Sequence, residues 1–170
     1  MTTELLLYSQ LVESDIEKLA TVLHHQSVYE HIGGMPSRAD FDLSLCRALA
    51  GPLTNATGEH WINVAVRVAE NGELIGRLEA NVHDRLAEVA FLYNPRLWGR
   101  GYALRGLLWL HDHLRQDKTI ESLWGATHPR NQRSASLLLK CGYTPAETQD
   151  LPVLYSYDEG DDVFKRRVVF

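Results

Sequence analysis

The strongest constraint on the fold lies in the middle of the chain, where the pattern has period two. Ile62, Val64, Val66 and Val68 alternate with Asn63, Ala65 and Arg67, and Leu74, Gly76, Leu78, Ala80 and Val82 answer on a return strand. Such alternation belongs to strands with one buried face. Asn71-Gly72 between them predicts a two-residue hairpin turn, because both residue types tolerate positive φ. A third strand is expected over residues 86–93 after another short turn, so this region reads as an antiparallel meander.

Helical patterns flank it. Ser14 and Glu17 have the spacing of a capping box, and Ile16, Leu19, Ala20 and Leu23 then recur at helical intervals. Ser37 and Asp40 repeat the cap ahead of Phe41, Leu45, Cys46, Ala48 and Leu49, and Gly51-Pro52 ends that helix. Beyond the meander, Ala103, Leu107, Leu110 and Leu114 make a further apolar stripe. A strand over 121–127, a helix from Asn131 to Gly142 and two strands over 151–157 and 163–169 complete the expected order, with one more strand at the start. This is a mixed α/β fold around one central sheet. The 170 residues contain no repeat or linker and form a single domain, 1–170.

Composition excludes several classes. A formal charge of −5 does not favour duplex nucleic acid. No apolar run is long enough to span a membrane, and residues 1–4 lack the basic opening of a signal peptide. Cys46 and Cys141 cannot make a disulfide framework, and both read as buried, reduced thiols, so a cytoplasmic location is expected. The eight histidines show no zinc spacing: His24-His25 and His111-x-His113 each point to different faces. No metal is expected. The four tryptophans read mostly as core or sheet-face residues, with Trp98 beside the loop glycines placed to flank a ligand.

The chemistry-bearing segment is Arg96-x-x-Gly99-x-Gly101 at the junction of a strand and a helix. Glycines let a backbone turn tightly and let a ligand approach its amides, and a helix N-terminus offers free N–H groups to an anion. It is neither a nicotinamide fingerprint nor a P-loop, since G-x-G-x-x-G and Gly-Lys-Ser/Thr are both missing. On this fragment alone a structural turn is an equal reading. The stretch Asn131-Gln132-Arg133-Ser134 through Gly142-Tyr143, following the next strand, supplies a second segment.

Taken together, Ala87-Glu88-Val89-Ala90-Phe91-Leu92-Tyr93-Asn94-Pro95, the loop Arg96-Leu97-Trp98-Gly99-Arg100-Gly101-Tyr102-Ala103 and the Asn131–Tyr143 stretch resemble the GNAT acyltransferases, of the RimJ/RimL N-acetyltransferase type. The resemblance covers nearly the whole chain. It implies a mostly antiparallel sheet splayed at its fourth and fifth strands, with flanking helices and acetyl-CoA in the gap. The backbone of Phe91, Leu92 and Tyr93 would pair with the pantetheine arm. The amides from Leu97 to Ala103, including those of Trp98, Gly99, Arg100, Gly101 and Tyr102, would hold the pyrophosphate, with Arg96 and Arg100 adding positive charge.

The same resemblance places Asn131 on the pantetheine and Ser134 by the thioester sulfur as the proton donor, with Tyr143 as a fallback. Glu88 would be the general base for direct attack by a primary amine, from a protein N-terminus or a small molecule. Leu138 stands where many family members carry a tyrosine acid, which leaves a non-catalytic acyl-CoA-binding module as the alternative. A homodimer is also compatible with the family. Glu30, Asp40, Asp42 and Asp158 to Asp162 could draw in a cationic amine or be ordinary solvated surface.

Overall fold

The computed structural model describes residues 5–53 and 58–170. Residues 1–4, which carry the expectation about a leader, lie outside them. Seven strands form one sheet in the order β1-β2-β3-β4-β5-β7-β6. These are β1 (Leu6–Gln10), β2 (His60–Val68), β3 (Leu74–His83), β4 (Leu86–Tyr93), β5 (Ser122–Thr127), β6 (Thr144–Pro145) and β7 (Asp162–Arg167). Every neighbouring pair is antiparallel except β4 and β5. The helices are α1 (Ile16–Leu23), the single turn α2 (Gln26–Tyr29), α3 (Arg38–Ala50), α4 (Tyr102–Leu114) and α5 (Gln132–Lys140).

Alternation in the strands divides the core between the two faces of the sheet. Val64, Val66, Leu78, Ala80 and Val89 point to one face, where α4 lays Leu107, Leu110 and Leu114 on them and α5 adds Leu138. Each leucine buried in this way stabilises the fold by about 1.5–3 kcal/mol. On the opposite face, Leu19 and Leu23 of α1 and Phe41 and Leu45 of α3 cover Ala65 and Leu74. A smaller cluster on that second face joins Leu86 and Trp124 to Val163, with Leu151, Leu154 and Tyr157 packed against it. Gly106 lets α4 approach the sheet, since a Cβ there would lie 2.0 Å from the Tyr93 hydroxyl.

The structure corrects four local expectations. The loop between β2 and β3 is not a two-residue turn at Asn71-Gly72: Val68 N–H bonds the Glu73 carbonyl, and only Gly72 has positive φ, at 70°. The tight turn with both central residues left-handed is Asp84-Arg85, at φ 44° and 64°, between β3 and β4. Ser14 does not cap α1; a 3-10 turn over Glu13–Asp15 leads into it, and the Asp15 carboxylate accepts from Val12 N–H and pairs with Arg67. Cys46 is exposed, because it lies off the Phe41/Leu45 stripe, whereas Cys141 is buried.

The fourth correction concerns residues 151–157, which form no strand. Pro152 cannot donate to a ladder, and the N–H groups of Tyr155 and Ser156 go to a side chain instead. β7 pairs with the short β6 in its place. Among the described helices, none is long and apolar enough to cross a membrane.

Candidate functional site

β4 and β5 pair only over Leu86↔Ser122, Ala87↔Leu123 and Glu88↔Trp124. Beyond that point β4 pairs only with β3, and β5 only with β7. The two strands part, and a cleft of about 820 Å³ opens between their C-terminal ends. That volume suits a sizeable organic ligand. Phe91, Leu92 and Tyr93 form its β4 wall, and Asn131, Ser134 and Leu137 face them from α5.

The loop at the end of β4 is shaped by local chemistry. The Asn94 side chain accepts from Arg96 N–H at 3.1 Å, closing a 3-10 turn over Pro95–Leu97. The Trp98 indole N–H donates to the Tyr93 carbonyl at 2.9 Å, which ties the loop back to the strand. Gly99 and Gly101 both have φ near 80°, a region that costs other residues about 1–2 kcal/mol. No atom crowds either glycine, so the requirement is conformational rather than steric.

Gly101 begins α4 without a side-chain cap, unlike α3 and α5, which are capped by Ser37 and Asn131. The helix's first turn of N–H groups precedes the Arg105 N–H to Gly101 carbonyl bond. Gly101, Tyr102, Ala103 and Leu104 at that end line the cleft, which sets the positive end of the helix dipole beside it. Leu97, Trp98, Gly99, Gly101, Tyr102 and Ala103 all line it, whereas Arg96 and Arg100 are exposed and do not.

On the facing side, Asn131 accepts from Ser134 N–H at 3.3 Å and Ser134 is half-buried at the cleft wall. Leu138 is buried and packs 3.0 Å from where a Gly125 Cβ would stand, so it belongs to the core. Tyr143 is buried as well and accepts from His111 at 2.9 Å. Arg166 donates to the other ring nitrogen of His111, which therefore keeps its lone pair and makes the imidazole neutral. Burial and the neighbouring Arg166 charge push the His111 pKa down to about 4.

Glu88 lies at the last position of β4 that pairs with β5, buried, and is not part of the cleft lining. His83 and Tyr155 N–H donate to one carboxylate oxygen at 2.7 and 2.8 Å. Ser156 donates to the other through its N–H, at 2.9 Å, and its hydroxyl. Burial pushes the Glu88 carboxyl up. The bonds from Ser156, Tyr155 and His83 outweigh that and hold it below the usual carboxylate value.

Of the acidic residues that could draw in a cationic amine, Glu30 lines the cleft. Other cleft residues carry no sequence signal: Ser27, Val28 and His31, from α2 and the turn after it, line it too. Arg133 does so too, with its guanidinium 4.7 Å from the centre of the Trp98 ring. A helix of one turn is too short for its spacing to reveal what its residues face. Among the other acidic candidates, Asp40 bonds Ser37 and Asp42 pairs with Arg38, while Asp158 and Asp161 close their own turn. Among the described residues, no group of three or more His, Cys, Asp or Glu is arranged to hold a metal.

Residues 6–144 match the family model described as acetyltransferase (GNAT) domain. No curated protein matches the chain. Among solved structures, RimL, a ribosomal L7/L12 alpha-N-protein acetyltransferase in complex with coenzyme A, superposes with a TM-score of 0.76 at 15% identity, covering 98% of this chain and 96% of that one. An aminoglycoside acetyltransferase in complex with coenzyme A and kanamycin gives 0.73 at 18% identity, over 95% and 94%. A spermidine N-acetyltransferase chimera from Vibrio cholerae and hSSAT gives 0.70 at 16%, over 96% and 95%.

Proposed function

Because the chain belongs to the GNAT acetyltransferase family, we propose that it moves an acetyl group from acetyl-CoA to a primary amine by direct attack. The observation that carries this reading is the splay of β4 and β5 beside the glycine turn and first turn of α4, which line the same cleft. The residues present fit the cofactor. Backbone groups of β4 beyond Glu88 lack a β5 partner and can bond the amides of an extended arm. The glycine turn and the positive end of the α4 dipole, both at the cleft wall, suit a pyrophosphate.

When bound, acetyl-CoA supplies an activated acyl group and a thiolate leaving group. The Ser134 hydroxyl, at the cleft wall, serves as proton donor to that leaving group, and Asn131 holds the arm beside it. The Trp98 ring with the Arg133 guanidinium above it closes one side of the cleft. The acceptor must arrive as the neutral amine, since an alkylammonium with pKa of about 10 has no lone pair to attack with. Proteins of this fold are described as acting on a protein N-terminus, an aminoglycoside and spermidine, each of which carries an amine acceptor.

Calorimetric titration with acetyl-CoA tests the reading, with desulfo-CoA and NAD as comparators. We expect saturable binding that Gly101→Val weakens about tenfold, or about 1.4 kcal/mol. Folded protein that binds no acetyl-CoA overturns the proposal. Acetyl transfer is then assayed on kanamycin, spermidine and a peptide with a free N-terminus. Leu138 in the core favours one second reading, acyl-CoA binding without turnover. Tight binding with none of the three amines acetylated would support it.

A further inference from the structure

The two oxygens of Glu88 accept four hydrogen bonds, from His83, from the Tyr155 and Ser156 N–H groups and from the Ser156 hydroxyl. A carboxylate has about four lone-pair positions, so no acceptor site is left for a substrate proton. The carboxyl is only 3% exposed, and its bonds hold it ionised. These are the properties of an anchor. A proton acceptor needs a free lone pair and a path to the amine.

What it anchors is distant in sequence. Tyr155 and Ser156 lie 67 and 68 residues beyond Glu88, in a segment with no helix or strand of its own. The Tyr155 ring stacks on His83 at 4.2 Å. The second ring nitrogen of His83 lies 3.0 Å from the Asp84 carboxylate. Burial opposes a charge on His83, but the Asp84 and Glu88 carboxylates outweigh it and raise its pKa, which favours donation from both nitrogens.

The position of the segment gives the anchor a role. Residues 151–157 pack over Leu86 and Trp124, on the sheet face away from α4 and α5. Helices α1 and α3 cover the other end of that same face. Between the two covers, the neighbours Glu79 and Ala90 remain partly exposed beside the mouth of the splay. An amine that approaches from the side opposite the cofactor helices passes between these covers.

We propose that Glu88 is a positioning residue that clamps the 151–157 segment to β4, and that the clamped segment forms one wall of the acceptor site. The clamp itself is read without any substrate; its bearing on acetyl transfer rests on the function proposed above. Ser156 and His83 are its partners, and the amine loses its proton elsewhere.

Amide hydrogen exchange on the full chain tests the clamp with no substrate present. In Glu88→Gln the amide group can no longer accept from both donors on one side. We expect Tyr155 and Ser156 to exchange about tenfold faster, the factor that loss of a hydrogen bond to a charged group gives. Ser156→Ala, which keeps the backbone donors, should show a smaller change in the same direction and stands in if the Gln variant fails to fold.

Whichever of kanamycin, spermidine or the peptide is acetylated then reports on catalysis. Its KM should rise several-fold in Glu88→Gln, while acetyl-CoA affinity and the midpoint of the acid limb of the pH profile stay the same. Unchanged exchange in both variants overturns the clamp whatever the enzyme does. Loss of the acid limb at unchanged KM makes Glu88 the base and overturns it too.

Discussion

Two irregular segments flank β4, and they reach their shapes by opposite routes. The loop over residues 95–101 is organised by its own residues: Asn94 caps the first turn, Trp98 ties back to Tyr93, and two glycines take left-handed φ. The segment over residues 151–157 has little local organisation, and its N–H groups depend on a carboxylate far back in the chain. The first can hold its shape with an empty cleft beside it. The second is held by contacts with distant parts of the chain, the Glu88 carboxylate and the Leu86/Trp124 cluster.

The comparison can be broken most severely on the cofactor side. Gly106→Ala puts a methyl 2.0 Å from the Tyr93 hydroxyl and 3.3 Å from Leu78. Overpacking of this kind should cost about 3 kcal/mol. Denaturant melts would show it, and Tyr93→Phe in the same chain should recover part of the loss. Full stability in Gly106→Ala would mean that α4 does not pack as described.

Acid gives the next largest effect. His111 is neutral in the fold with a pKa of about 4, while the unfolded chain takes up that proton below about 6.5. Its contribution is therefore complete above pH 6.5 and is lost as pH falls towards 4, by about 3 kcal/mol. Paired melts at pH 7 and pH 4 should show a smaller difference in His111→Gln than in the parent chain. An equal difference would assign the acid sensitivity to carboxylates such as Glu88.

The smallest effect sharpens the other side. Asp84 is exposed, and removing its charge in Asp84→Asn should change stability by less than about 0.5 kcal/mol. It should still lower the pKa of His83, because the Asp84 bond helps to raise it. Imidazole signals followed by NMR through the titration measure that directly. A His83 pKa that does not move would detach Asp84 from the clamp.

The same contrast explains what could be read in the sequence. β4 spans the expected residues 86–93, because alternation and flanking turns mark both ends. Asn131 and Gly142 mark α5 in the same way, one by its side chain and the other by a φ of 84°. A short turn is expected before residue 86, but not its left-handed φ at Asp84 and Arg85, which in non-glycine residues leaves little compositional trace. Asn71-Gly72 carries the stronger hairpin signature, yet the bulge at Val66/Arg67 and the Val68–Glu73 bond place it in a longer loop.

Residues 151–157 alternate apolar and polar as a strand does, but those apolar side chains pack on Trp124 while the backbone bonds elsewhere. The environment of Glu88 was hidden for the same reason. Spacing along one strand locates the carboxylate, but its four donors come from β3 and from the far end of the chain.

The short parallel contact between β4 and β5 has a further consequence. Three residue pairs join the two halves of the sheet, so each half presents an unprotected edge inside the molecule. Proteins usually blunt such edges with charge or proline, because an exposed ladder templates pairing with foreign strands. Here the interior edge on β4 is Phe91-Leu92-Tyr93, which has neither. An extended ligand lying in the gap would act as the missing strand, and the empty protein is the form most open to illicit pairing.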